Sequence, residues 1–298
     1  MRVTRHRVKQ LVKNAVYRSI GEVSSVWRRD PDGTVTLRVL MYHRINDVPD
    51  NPMSVPVRVF DEQLAVAREL GYEIVDLGAV LDHYVNATPL PANALLITFD
   101  DGYRDIYDNA LPVLRKHGAP AVAFVPVAYI GANVPLPHDT HLIARGIRNP
   151  VLDWGLVRAL DDGGIRVESH GLAHTPLASV PLDTAVREIA ASKLELEDRL
   201  GRPVRAYAYV KGSEAYFHAV HERLVEQAGY DVAFTTVSRG NGPATNPFRL
   251  GRYNVEPYSA RTFELVLTGA CDMIAAKDTV AGTHARRLFN RVLGTATR

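Results

Sequence analysis

The feature that most restricts the fold of this chain is a repeated alternation of short apolar runs with amphipathic segments. "TLRVLMYH" (Thr36 to His43) reads as a strand and is followed by the helical pattern "FDEQLAVARELG". The strand "YEIVDL", the helix "GAVLDHYVN" and the strand "ALLITF" come next, then a helix over about residues 104–117 and the strand "AVAFVPV". After a looser stretch come "IRVESH", the helix "LDTAVREIAASKLELEDRLG" with Asp183 as its expected N-cap, "VRAYAYV", "YFHAVHERLVEQAG", "YDVAFTT", "RLGRYNV" and "SARTFELVLTG". Strands alternating with helices about seven times imply a parallel sheet joined by crossover helices. The expected fold class is α/β, a distorted (β/α) barrel of about seven strands, with an open doubly wound sheet as the alternative. No glycine-rich phosphate fingerprint opens any of the helices, which argues against a dinucleotide-binding sheet.

At 298 residues and 46% hydrophobic, the chain has the material for one sizeable core. It shows no internal repeat and no long linker. The expected organisation is a single domain over residues 34–270, a basic amphipathic N-terminal extension over 1–33 and a basic C-terminal helical tail over 271–298. A net charge of +2 gives no electrostatic reason to expect nucleic acid as a partner. The N-terminal apolar residues fall at helical spacing rather than in the unbroken run of a signal peptide, and no stretch reaches membrane-spanning length. Such a helix either docks on its own domain or touches an anionic membrane surface. The expected location is the cytoplasm, with peripheral membrane contact on the cytoplasmic face through the basic termini. Cys271 is the one cysteine, so the chain forms no internal disulfide framework, and any metal must be held by histidine and carboxylate.

In (β/α) barrels the C-terminal ends of the strands build the active site. Three groups occupy such ends here: His43, the pair Asp100 and Asp101, and Glu168 to His170. The strand "ALLITF" runs directly into two carboxylates. One reading is a helix N-cap followed by a turn residue before Gly102. The difficulty is that two like charges near a buried rim repel, so one must be protonated or meet a cation. In "SHGLAH", His170 and His174 have a spacing that lets two imidazoles approach one ion across a tight loop, although two surface histidines would look the same. A divalent metal held by one aspartate and two histidines resolves the charge problem and leaves the second aspartate free as a general base. Two further pairs, His138 with His141 in "PHDTH" and His218 with His221 in "YFHAVHERL", read as solvated histidines.

"TFDDG" and "SHGLAH" resemble the first and second motifs of the metal-dependent polysaccharide deacetylases of the NodB-homology type. The flanking stretches "LMYHRI", "FDEQLAVARELGY", "LPANALLITFDDGYRDIYDNALPVLRKHGAPAVAFV", "RAYAYVKG" and "RLGRYNV" are similar to the subgroup acting on biofilm poly-N-acetylglucosamine, over roughly residues 38 to 269. The resemblance implies hydrolysis of an N-acetyl group on an amino sugar, polymeric, oligomeric or lipid-linked. It assigns Asp100 as general base and Asp101, His170 and His174 as ligands of a divalent metal, with zinc the expected ion. Most of the family takes its general acid from a late L-x-H motif, whereas the one histidine after residue 230 here is His284. In the subgroup the acid comes from the early "YHRI" stretch, which gives the role to His43.

The chain departs from the family pattern at Gly171, where a bracing Ser or Thr is usual. It departs again in "YAYVKG", with Val210 where proline is usual and Lys211 where an aromatic residue is common. Tyr209 and Lys211 are the expected substrate contacts in this motif, Lys211 either meeting an anionic group or standing in solvent. Arg252 is the candidate to orient the base. Two alternatives stand beside deacetylation: a deacylase or deformylase of a lipid-linked sugar, and an inactive carbohydrate-binding relative.

Overall fold

Most of the apolar runs become strands whose side chains alternate between two buried layers. The computed structural model describes residues 36–49, 51–132 and 134–272, together with 15, 17–19, 21 and 22. In chain order the strands are β1 (Leu37–Tyr42), β2 (Arg44–Ile45), β3 (Ser54–Val55), β4 (Glu73–Ile74), β5 (Ala94–Phe99), β6 (Ala121–Val125), β7 (Ile165–Ser169), β8 (Ala206–Ala208), β9 (Val232–Phe234) and β10 (Tyr253–Asn254). The main helices are α1 (Val57–Glu69), α2 (Leu77–Asn86), α3 (Leu111–His117), α4 (Thr140–Ile143), α5 (Trp154–Asp162), α6 (Leu182–Leu200), α7 (Ala219–Gln227) and α8 (Ala260–Leu267). Seven strands lie in the order β10-β1-β5-β6-β7-β8-β9 with β4 beside the start of β5, and every pairing is parallel. The sheet curls until its ends approach. Across the seam Leu250 N–H donates to Ala233 O at 2.9 Å and Thr235 N–H to Leu250 O at 2.8 Å, while Val255 N–H donates to Met41 O at 2.9 Å. This is the distorted (β/α) barrel the alternation implied.

The period-two alternation sorts the core. Val39, Leu96, Val122, Phe124, Ala206, Ala208, Val232 and Phe234 form an inner cluster with Leu250, and α2 adds Leu77, Val80 and Leu81 to it. Leu40, Tyr42, Leu95, Ile97, Ala123, Val125 and Val167 belong to the outer layer, beneath the helices. Small alanines on β8 leave room for the facing rings of Phe124 and Phe234, whose centroids lie 5.4 Å apart.

Two local expectations change. The segment expected as one helix over 104–117 contains a wide turn at Ile106–Ala110, where Leu111 N–H reaches back to Ile106 O, before α3 begins. Pro112 lacks the N–H that a regular helix would donate at that point, so the ladder shifts by one residue. Helix α6 starts at Leu182 after Pro181, so Asp183 sits in the first turn and accepts from Thr184 N–H at 2.7 Å rather than capping the helix. Of the described residues of the N-terminal extension, Tyr17 and Gly21 pack on the domain. A Cβ on Gly21 would lie 3.0 Å from Leu265, and the Tyr17 ring stacks on Tyr258 at 5.8 Å. The expected C-terminal tail lies outside the described residues beyond Asp272. Among the described residues no helix is long and apolar enough to cross a membrane.

Candidate active site

Strand parity aims the chemistry inward. His43 follows the inner positions Leu37 and Val39 by even steps, Asp100 follows Leu96 in the same way, and His170 follows Arg166 and Glu168, which alternate with outer-layer Ile165 and Val167. Arg252 stands one residue before outer-layer Tyr253. All four therefore face the barrel interior at its strand-end rim. Simple alternation would send Asp101 outward. It does not, because Asp101 itself has φ +75° and Gly102 φ +67°, and this left-handed pair folds the chain back over the rim. The non-glycine residues with positive φ among those described are Ala87, Asp101, His174 and Lys211. Three of these belong to the motifs that build the site, the pattern expected where strain, of order 1–3 kcal/mol per residue, is kept for function.

Asp101, His170 and His174 converge, their potential ligand atoms all within 4.8 Å of one another. Asp101 Oδ1 lies 2.9 Å from His174 Nε2 and 3.6 Å from His170 Nε2. His170 Nδ1 is 2.8 Å from the Ala208 carbonyl, to which it can only donate, so its Nε2 carries the free lone pair that faces the aspartate. Burial lowers the His170 pKa to about 4, which keeps the ring neutral and ready to ligate. Burial alone would raise the Asp101 pKa, but the neighbouring His174, by its charge and its contact with Oδ1, and the nearby His138 ring hold it well below the usual carboxylate range. The opposite balance acts on His174, where burial is outweighed by Asp101 and the pKa rises. Two imidazoles and one ionised carboxylate at this separation fit a divalent cation.

Asp100 is held separately. Arg252 donates Nη1–H to Oδ1 and Nη2–H to Oδ2, both at 2.7 Å, and also donates Nε–H to Thr235 O at 2.9 Å. Both side chains are buried, and although burial pushes the Asp100 pKa up, Arg252 and His170 pull it below its ordinary value. Arg252 thus makes the contact with Asp100 that the sequence reading expected. His43 lies within electrostatic reach of both aspartates. Burial lowers its pKa against their attraction, and its Nδ1 is buried without a hydrogen-bond partner.

The loop carrying His174 is braced in a way the sequence did not advertise. Glu188 of α6 accepts from Leu172 N–H at 3.0 Å and Ala173 N–H at 2.9 Å through Oε2, and from the Thr175 hydroxyl at 3.1 Å through Oε1. Gly171 has φ +82°, and a Cβ there would lie 3.2 Å from Glu188 Oε2 and from the Tyr207 hydroxyl. The hydroxyl that the family usually carries at this position is replaced by a carboxylate arriving from the next helix.

Of the other expected substrate contacts, Lys211 reaches the rim. It is exposed, with Nζ 5.1 Å from the Tyr216 ring centroid, and its charge acts on His174. Tyr209 is not brought there. Outer-layer parity places its ring flat against Phe217 at 4.3 Å, with its hydroxyl donating to Phe248 O at 3.2 Å.

Residues 87–233 match the model of the family described as polysaccharide deacetylase. The chain carries a polysaccharide deacetylase domain. YxkH of Bacillus subtilis, assigned to the polysaccharide deacetylases, is 26% identical over 74% of this chain and 72% of its own length. The poly-beta-1,6-N-acetyl-D-glucosamine N-deacetylase of Escherichia coli is 34% identical over 34% of this chain, a match spanning 15% of that enzyme. Among solved structures, the Streptococcus pyogenes deacetylase PplD in complex with acetate superposes with a TM-score of 0.68 at 22% identity, over 78% of this chain and 99% of that one. IcaB from Ammonifex degensii gives 0.66 at 24% identity, over 80% and 97%. These two likenesses bear on the fold, which they share with this deacetylase domain.

Of the two histidine pairs read as solvated, His141 and His218 are exposed as expected and their partners are placed differently. His221 is buried on α7 and accepts from His218 N–H through Nδ1 at 2.9 Å. His138 stands at the metal-ligand cluster, with Nε2 3.3 Å from Asp101 Oδ2 and 2.8 Å from the Tyr103 hydroxyl. Its partner His141 stays exposed, with Nδ1 against the His138 carbonyl. Behind His138, buried Asp139 pairs with buried Arg44. Apolar neighbours mark none of these in sequence; the one available signal is the clustering of Asp139 between two histidines in the long connection from β6 to β7. Glu168, expected among the rim groups, is structural: it accepts from Arg205 N–H at 2.7 Å and Ala206 N–H at 2.8 Å and ties β7 to β8.

Proposed function

We propose that this domain removes N-acetyl groups from an N-acetylated amino sugar within a glycan, with zinc at the Asp101, His170 and His174 cluster. The observation that carries the reading is the division of labour between neighbours: Asp101 faces the two histidines while Asp100 is held apart, ionised, by the two-pronged Arg252. A bound divalent ion supplies Lewis acidity toward the acetamide carbonyl and acidifies water. The chain's own residues do the rest. Asp100, kept as the carboxylate by Arg252, accepts a proton from the attacking water. His43 delivers a proton to the leaving nitrogen. Its ring is neutral at rest and so takes the proton it delivers from Asp100, whose restored charge, with that of Asp101, favours the imidazolium. Lys211 stands at the rim, where it meets the glycan outside the reacting sugar. The names of the Escherichia coli and Bacillus subtilis relatives support a glycan substrate.

The test is acetate release from N-acetylglucosamine oligomers by the zinc-loaded chain and by Asp100→Asn. The substitution is expected to lower kcat by about 10²–10⁴-fold, the range for loss of a general base, with zinc content unchanged. Undiminished turnover in Asp100→Asn would remove the base assignment. A wild-type chain that binds zinc yet releases acetate from neither free, polymeric nor lipid-linked substrates would favour the carbohydrate-binding alternative.

A further inference from the structure

We propose that His138 is a positioning residue of the metal centre, holding the oxygen of Asp101 that faces away from the two ligand histidines. The inference rests on the metal-site reading above. Asp101 is buried and its two oxygens have different surroundings. Oδ1 faces His170 and His174, whereas Oδ2 has no partner within ordinary hydrogen-bonding geometry, and His138 Nε2 stands 3.3 Å from it. A carboxylate that ligates through one oxygen is oriented by what its other oxygen accepts, and such outer partners hold a ligand in its productive rotamer.

The hydrogen-bond inventory assigns the tautomer. The Tyr103 hydroxyl has one proton, and Asp139 Oδ2 at 2.8 Å is an acceptor that takes it. Arg44 Nη2, which is only a donor, also bonds that hydroxyl and pairs with Asp139 Oδ1. With its proton committed to the carboxylate, the Tyr103 oxygen can only accept from His138 Nε2, 2.8 Å away. Nε2 therefore carries hydrogen, and that N–H lies between the Tyr103 oxygen and Asp101 Oδ2. It can serve the carboxylate as a donor and does not offer a lone pair to the metal. His138 also lies outside the set of ligand atoms that gather within 4.8 Å, although its ring centroid is 5.3 Å from that of His174.

The support behind His138 is rigid. Arg44 and Asp139 are both buried, and the Arg44 guanidinium lies 4.1 Å from the centre of the Tyr103 ring. Because Asp139 adjoins His138 in the chain, this buried pair anchors the connection between β6 and β7 against the Asp101 turn. A polar chain thus runs from Arg44 through Asp139, Tyr103 and His138 to Asp101.

The experiment measures the zinc dissociation constant of the full chain by competition with a chromophoric chelator, for wild type, His138→Ala and His138→Gln, with circular dichroism to verify folding. Removing an outer partner of this kind weakens metal binding by about 10–100-fold, the expected result for His138→Ala. His138→Gln is expected to recover most of the loss, because its amide N–H can donate to Asp101 although the amide nitrogen cannot ligate zinc. The visible spectrum of the cobalt-substituted protein should change in His138→Ala and return toward wild type in His138→Gln. An unchanged zinc constant in a folded His138→Ala protein overturns the proposal while leaving the three-ligand site intact. So does a His138→Gln protein as weak as the alanine variant. A wild-type chain that binds no zinc overturns both readings.

Discussion

Replacing Arg252 with methionine tests the electrostatic core of the site. The guanidinium is fully buried against a carboxylate with 3% side-chain exposure, joined by two bonds of 2.7 Å. Methionine fills much of the same volume but leaves Asp100 as a buried charge without its partner. Breaking a buried pair from one side costs about 3–5 kcal/mol, chiefly as the desolvation penalty of the orphaned ion. At about 2–4 °C per kcal/mol for domains of 150–250 residues, the melting temperature should fall by on the order of 10 °C at neutral pH. The loss should depend on pH. In wild type the depressed Asp100 pKa contributes stability that is present above the unfolded-state value and is lost as pH falls through the folded value. In Arg252→Met the burial contribution is less opposed, so the folded-state pKa rises and stability is instead lost as pH rises through it. The gap between the two proteins should therefore be wide at pH 7 and narrow toward pH 4. Urea denaturation of the metal-free proteins at both pH values measures it, and the acid limb of kcat/KM for acetate release should move upward in the variant. Adding Asp100→Asn to Arg252→Met should restore part of the lost stability, since the charge that suffers is gone. Equal gaps at the two pH values, or no recovery in the double variant, would show that lost packing rather than an orphaned carboxylate accounts for the effect.

Two further expectations concern neighbouring features. Gly171→Ser, which restores the residue type usual in the family, should destabilise this chain by about 1–3 kcal/mol and weaken zinc binding, because φ +82° strains any side chain there and its Cβ would press on the Glu188 carboxylate from 3.2 Å; wild-type values for both in urea and chelator titrations would mean that the turn and Glu188 yield. Burial pushes the Asp105 pKa up to about 6 despite bonds from Ile45 N–H and the Asn46 amide. Its stabilising contribution is thus full below about pH 4 and is lost as pH rises through 6, a change of about 3 kcal/mol. Asp105→Asn should abolish that slope, and urea midpoints for the two proteins that run parallel between pH 4 and 7 would contradict the assignment.

Much of the site was legible because its parts lie next to strand ends. His43, Asp100 and His170 each follow an apolar run whose period-two pattern dictates the face they take, and the adjacent carboxylates already called for a cation or a protonated carboxyl. Arg252 could be named from its motif, but its bonds to Asp100 join positions 152 residues apart, and pairing over that distance leaves no local periodicity. Tyr209 shows the limit in the other direction. It lies in a motif tied to the site, yet one step of alternation from Ala208 turns its ring into the outer layer, against Phe217. The solvated reading held for His141 and His218 but failed for His138 and His221 for a related reason: spacing alone does not distinguish a solvated ring from one that the fold carries to a partner.

What local patterning along the chain carried by itself was the alternation of strands and helices, the inward face of each strand and the grouping of two carboxylates with His170 and His174 at strand ends, while the choice of Asp101 as the ligand came from the family resemblance. The tertiary structure alone decided how those groups are held. A left-handed turn at Asp101 reverses the side alternation would assign it, and Glu188 of α6 replaces the brace missing at Gly171. The buried Arg44 and Asp139 pair brings His138 from a connection with no periodic signal to the second oxygen of Asp101. Periodicity encodes which face a residue takes within its own element. Which distant polar group meets it is set by barrel closure and by the need of every buried charge for a partner, and only the folded chain satisfies both.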